Sequence, residues 1–146
     1  MMRSACLSLA ILGLAACSAP DAIETSAQAP VAGPSDAELL ARGDYLVRIA
    51  GCNDCHTPAY GERGGNVPKQ EWLVGSPLGF NGPWGTTYAA NLRIKAAEMD
   101  EAGWLKYTGA LHTRPLMPDF ALRAMCEDDR RAIYRFIRSL GAGGAK

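Results

Sequence analysis

Between His56 and Asn91 the chain offers almost nothing periodic. Pro58 to Gly85 holds seven glycines and four prolines in 28 residues. A stretch of that length without regular structure rarely survives inside a folded domain, because its backbone polar groups and its entropy are not offset by burial. The flanking segments are different: each carries a clear amphipathic helix. A chain built this way needs a core supplied partly by something other than its own side chains. A bound cofactor meets that need, and the residues just before the irregular stretch say which kind.

Those residues are Cys52-Asn53-Asp54-Cys55-His56. The spacing C-x-x-C-H is the attachment signal for a c-type haem. Two thiols one helical turn apart can reach the two vinyl groups on one edge of a porphyrin. The adjacent histidine then presents its imidazole to the iron as proximal ligand. Two other chemistries use parts of this pattern. A redox-active dithiol would need a βαβ context, and none is visible. A zinc site would draw on Cys52, Cys55 and His56 with His112 or Cys126 as the fourth ligand, but no second C-x-x-C exists.

The candidates for a sixth ligand are Met99, Met117, Met125 and His112, with an open position as the alternative. Met117 lies in Arg114-Pro115-Leu116-Met117-Pro118-Asp119-Phe120. Pro118 biases Met117 towards extended backbone and Pro115 stiffens the approach, so the loop can offer one side chain with little entropy to lose. Met117 is 61 residues beyond His56, ample chain to cross a haem. It sits on no periodic stripe, which argues against a role as core filler. Met125 adjoins the last helix and Met99 a shorter one, where packing is the simpler expectation. Trp72, Trp84, Arg93 and Arg114 are candidate donors to the haem propionates.

The flanks are helical. Ser35-Asp36-Ala37-Glu38 has the capping-box form, and Leu39, Leu40, Gly43, Leu46, Val47 and Ala50 follow at helical spacing. This predicts a helix over about 36–50. Gly43 on its apolar face implies close approach of a second helix. The last helix is predicted over 127–140, with acidic residues in its first turn, Ile133, Phe136, Ile137 and Leu140 as its buried stripe, and Gly141 after its end. Arg131, Arg135 and Arg138 form a row on its other face, either solvated or facing an acidic partner. A shorter helix is expected over 100–108, with Trp104 and Leu105 turned inward.

The N-terminus reads as an address. Arg3 precedes a ten-residue apolar run, Leu7 to Ala16, too short to span a bilayer of about 30 Å. It ends in Leu14-Ala15-Ala16-Cys17, which resembles the bacterial lipobox, where cleavage precedes a cysteine that then carries lipid. Plain secretion is the alternative. Residues 1–16 are thus expected to be a signal peptide. Residues 17–35, rich in Ala, Pro and Ser, would be a lipidated Cys17 and its tether, spanning roughly 25 Å as a coil. Ser18 favours delivery to the outer membrane. Cys6 would leave with the signal. Of the five cysteines, only Cys126 then remains as a free thiol, which excludes a structural disulfide in the mature domain. With 15 basic and 15 acidic side chains there is no basic excess of the kind a nucleic-acid binder carries.

Taken together, these residues resemble the class I c-type cytochromes over about Asp36 to Gly141. Tyr45-Leu46-Val47, Gly85-Thr86-Thr87-Tyr88-Ala89-Ala90-Asn91-Leu92 and Leu116-Met117-Pro118 are similar to the small haem domains found alongside or inside bacterial dehydrogenase complexes. The segment after Asn91 lacks the Pro-Asp-rich turn common in those relatives. Cys126 stands where their last helix usually has Ser, Thr or Asp as its cap. The resemblance implies an all-α, cytochrome c-like domain over 36–146, with three to four helices wrapped around one covalent haem c and the first and last helices crossing, so that Gly43 faces the Tyr134 or Phe136 region. It implies an electron-transfer protein rather than an enzyme, with His56 and Met117 on the iron. The redox partner would be a dehydrogenase, an oxidase or another cytochrome, met from a lipid anchor facing the periplasm. Two alternatives stay open: a gas- or peroxide-binding haem with an empty sixth position, and a dedicated subunit of one dehydrogenase.

Overall fold

In the computed structural model, residues 33–144 are described. The expected signal peptide, Cys6, Cys17 and nearly all of the tether lie outside these residues.

Helix α1 (Asp36–Ile49) begins at the expected capping box. The Ser35 hydroxyl accepts from the Glu38 backbone N–H at 3.3 Å, and the Glu38 carboxylate accepts from the Ser35 N–H at 2.7 Å. Gly51 then takes a left-handed φ of +69° and turns the chain into α2 (Cys52–His56). At the other end, α6 (Glu127–Ser139) starts from Cys126, whose side chain makes no capping hydrogen bond. It closes at Gly141, with φ of +73°.

Helices α1 and α6 form the most extensive pairing in the domain. Leu39, Gly43, Leu46 and Val47 are buried on α1, and Ala132, Ile133, Phe136 and Ile137 on α6. Gly43 marks the crossing point. A Cβ there would lie 2.1 Å from the Ala132 carbonyl oxygen and 2.6 Å from the Phe136 Cβ. Its neighbours are therefore Ala132 and Phe136, not Tyr134.

Between the terminal helices lie a strand pair, β1 (Gly79–Gly82) and β2 (Gly85–Tyr88), then α3 (Leu92–Ala97), α4 (Glu101–Gly109) and α5 (Asp119–Ala124). The strands pair antiparallel, with Phe80 opposite Thr87 and Gly82 opposite Gly85. Among the described residues, six α-helices and a hairpin replace the expected three to four helices of an all-α domain. The reason is length. Helices of five or six residues show too little periodicity to be read, and four-residue strands rich in glycine show none.

The irregular middle is also better filled than its composition suggests. Val67, Trp72 and Leu73 are buried, and Trp72 packs edge-on against Tyr60 and Phe136. Arg93, itself buried, donates to the Trp72, Lys69 and Leu140 carbonyls and so staples this segment to the end of α6. The arginine row of α6 is likewise used internally. Arg131 and Arg135 both bond Glu101 at the start of α4, and Arg138 donates to the Ala96 carbonyl of α3. Among the described residues, no helix is long and apolar enough to cross a membrane.

Candidate functional site

Helix α2 is a single turn, which places Cys52 and Cys55 one above the other and ends on His56. His56 is only 8% exposed. Its Nδ1–H donates to the Ala90 carbonyl oxygen at 2.7 Å. A carbonyl can only accept, so this contact assigns the proton to Nδ1 and leaves the Nε2 lone pair free for a metal. Burial also pushes the imidazole below its ordinary pKa, against the smaller opposing effect of that hydrogen bond. A neutral, oriented ring results.

The backbone around His56 is held as well. The His56 carbonyl accepts from the Gly75 N–H at 2.9 Å. The Thr57 hydroxyl donates to Asn53 Oδ1 at 2.7 Å and accepts from the Leu73 N–H at 2.8 Å. Burial raises both thiols, Cys52 up to about 11. That is the opposite of a dithiol oxidoreductase, whose attacking cysteine has a depressed pKa.

Cys52, Cys55 and His56 open onto a cavity of about 520 Å³. This lies within the size range of ligand and cofactor sites. Val47, Ile133 and Ile137 of the crossing helices also line it, as do Leu116 and Met117 from the loop between α4 and α5. Its lining is mainly apolar; among the described residues its ionisable cationic side chains besides His56 are Lys95 and Arg114, and no carboxylate lines it.

The donor set fits a haem c. Two thiols stand one turn apart, one imidazole nitrogen is free, one thioether faces the same space, and the walls are apolar. Lys95 and Arg114 offer positive charge for the two carboxylates such a group carries. A zinc site fits poorly. Among the described residues, no three His, Cys, Asp or Glu groups gather to hold a metal ion. Cys126 is exposed at the start of α6, and His112 lines a separate open hollow beside Lys106 and Tyr107.

Of the four candidate sixth ligands, Met117 alone lines the cavity with His56. Met99 and Met125 pack against the hydrophobic core. Among the candidate propionate donors, Trp72 Nε1 is engaged by the Val67 carbonyl at 2.7 Å, and Arg93 is committed to backbone carbonyls. Arg114 lines the cavity while donating to the Trp84 carbonyl at 3.1 Å. The Trp84 Nε1 is buried with no hydrogen-bond partner.

Two groups at the site fall in the 85–92 segment that carries the resemblance, but the sequence assigns neither of them a role. Ala90 acts through its backbone carbonyl on a side chain 34 residues away, and nothing local marks it for that part. Thr87 lines the cavity and donates to the Pro115 carbonyl of the methionine loop at 2.6 Å, again across a long separation.

The chain is similar to the cytochrome c subunit of alcohol dehydrogenase (quinone) from Gluconacetobacter polyoxogenes. The two are 30% identical over 115 residues, covering 70% of this chain and 22% of the relative. The corresponding subunit from Komagataeibacter europaeus matches with the same identity and coverage. The chain thus spans about a fifth of the length of these curated relatives. No family model and no solved structure matches it. The similarity supports a c-type cytochrome related to dehydrogenase subunits.

Proposed function

We propose that this chain is a monohaem c-type cytochrome that carries single electrons, with Cys52 and Cys55 as the residues that would hold the haem covalently and His56 and Met117 as those that would ligate its iron. The observation that carries the reading is the convergence of all four side chains on one apolar cavity, with the His56 Nε2 left free by the Ala90 hydrogen bond. A haem held there would supply reversible one-electron chemistry at iron.

The protein's own residues set the conditions. The Cys52 and Cys55 thiols would hold the group covalently. The Ala90 carbonyl fixes the His56 ring and makes its nitrogen a stronger donor. The Met117 sulfur, a soft ligand, would favour the reduced state over what a second histidine would give. Val47, Ile133 and Ile137 keep water away. Two protein ligands retained in both oxidation states would keep reorganisation small and exclude oxygen.

The relatives' names support a second, narrower reading, in which this chain serves a dehydrogenase as its electron-accepting cytochrome. The pattern Leu14-Ala15-Ala16-Cys17 supports export and a lipid anchor facing the periplasm, and Ser18 after it favours the outer membrane over the inner one. A lipid tether would raise the local concentration of the carrier near membrane-bound partners.

The test is the visible spectrum of the purified protein, oxidised, reduced, and reduced under CO. A weak far-red sulfur-to-iron band in the oxidised form and slow CO binding in the reduced form are expected. Rapid CO binding by fresh protein would overturn the His/Met reading in favour of an open site. Co-purification with a dehydrogenase separates a dedicated subunit from a diffusing shuttle.

A further inference from the structure

Met117 sits in a stretch, 110–118, that contains no helix or strand. His112, Thr113, Arg114, Pro115 and Leu116 are all exposed. Thr113, Arg114, Leu116 and Met117 line the cavity, and the ties that join this stretch to the rest of the chain outside it are polar. One set closes the stretch on its own end. Thr113 donates its N–H and its hydroxyl to the Asp119 carboxylate, which Arg123 also engages at 2.8 Å. The other set runs to the hairpin. The Thr87 hydroxyl donates to the Pro115 carbonyl at 2.6 Å, and Arg114 donates to the Trp84 carbonyl at 3.1 Å.

Thr87 lies on β2, and the chain runs on from that strand through Ala89 to Ala90, whose carbonyl orients His56. The Ala89 carbonyl is pinned in turn by the Ser76 N–H at 3.1 Å. One segment, 85–90, thus touches both ligand-bearing parts of the site: the histidine through a backbone oxygen, the methionine loop through a side-chain hydroxyl.

We infer that the hairpin is the buttress of the methionine loop and that Thr87 is a positioning residue for Met117. The inference rests on the reading of Met117 as the sixth ligand. Thr87 contacts no iron; it acts by fixing the Pro115 carbonyl two residues before Met117. Without that tie, the loop spends more time with the sulfur withdrawn, and the sixth position opens to external ligands.

The experiment compares haem-loaded wild type, Thr87→Val and Thr87→Ser by titrating the oxidised protein with imidazole. Valine keeps the branched shape and strand preference of threonine but removes the donor. Thr87→Val is expected to bind imidazole roughly 2- to 12-fold more tightly, the range for the loss of one hydrogen bond, and Thr87→Ser to return towards wild type. Haem content and far-UV circular dichroism check that Thr87→Val is folded; if it is not, Thr87→Ala supplies the second hydroxyl-free variant. Combining Thr87→Val with Met117→Ala completes a double-mutant cycle, and the Thr87 effect is expected to vanish there.

An imidazole affinity unchanged in the hydroxyl-free variants would overturn the buttress. So would a serine variant that behaves like valine, or an effect that persists without Met117. If wild type shows no far-red sulfur band, the Met117 reading and this inference fall together; if it shows the band and Thr87 is uncoupled, only the buttress falls.

Discussion

Replacing Gly43 by alanine should loosen the crossing of α1 and α6. Two effects compete. In a helix interior, alanine is favoured over glycine by about 1 kcal/mol. Against that, the new methyl carbon would lie 2.1 Å from the Ala132 oxygen and 2.6 Å from the Phe136 Cβ. Neither obstacle is the free end of a side chain, so rotamer changes cannot relieve the clash. The helices must move apart, and the closely fitted Leu46, Val47, Ile133 and Ile137 lose contacts. Overpacking typically costs about 1–3 kcal/mol, and a backbone obstacle belongs at the upper end. The net expectation is a loss of about 2 kcal/mol. For a domain of this size that lowers Tm by roughly 6–10 °C. Thermal melts of the haem-loaded protein, followed by far-UV circular dichroism, measure it. Gly61→Ala is a suitable companion, since a Cβ there meets nothing within 4 Å. A Gly43→Ala protein as stable as wild type, or more so, would refute the argument that this glycine is there for close approach.

Met117→Ala is expected to keep covalent haem, lose the far-red band and lower the reduction potential; an unchanged spectrum would remove Met117 from the iron. Cys126→Ser should be neutral or stabilising by up to about 1 kcal/mol, because serine can supply the side-chain cap that Cys126 does not; chemical denaturation reads this, and a clear loss of stability would contradict it. The Arg42 guanidinium, in a two-point bond at 2.8 and 3.1 Å, holds Asp129 below its ordinary 3.8. A depressed carboxylate contributes stability above its unfolded value and loses it as pH falls through the folded one. Asp129→Asn should therefore flatten the decline of Tm below about pH 4; an identical acid limb in both proteins would dismiss the pair. Cys17→Ser should release the protein from membranes on fractionation, and retention would count against the lipobox.

Much of the site was legible from local spacing. Cys52, Cys55 and His56 lie within one turn, so their shared geometry follows from the helix itself. The capping box at Ser35, the acidic first turn of α6 and Gly141 likewise act over three or four residues, and both terminal helices begin and end within a residue or so of the expected positions. Gly43 was readable because glycine weakens a helix interior, and on an apolar stripe close packing is what offsets that cost. The arginine row of α6 was harder. Its periodicity was plain, but Glu101, which Arg131 and Arg135 both bond, lies on another helix 30 and 34 residues away.

What the sequence determined by itself is a chemistry: two thiols and an imidazole on one turn, between helices whose ends are written in their own caps. What only the tertiary structure decided is which distant groups meet that turn. The Ala90 carbonyl selects the proton-bearing nitrogen of His56, the cavity gathers Met117 and leaves Met99, Met125 and His112 elsewhere, and a hairpin too short to show a pattern ties down the methionine loop. Helical turns and caps are short-range, so a few side chains encode them. Contacts across 28 or 34 residues depend on how the whole chain packs, and no window of sequence carries that sum.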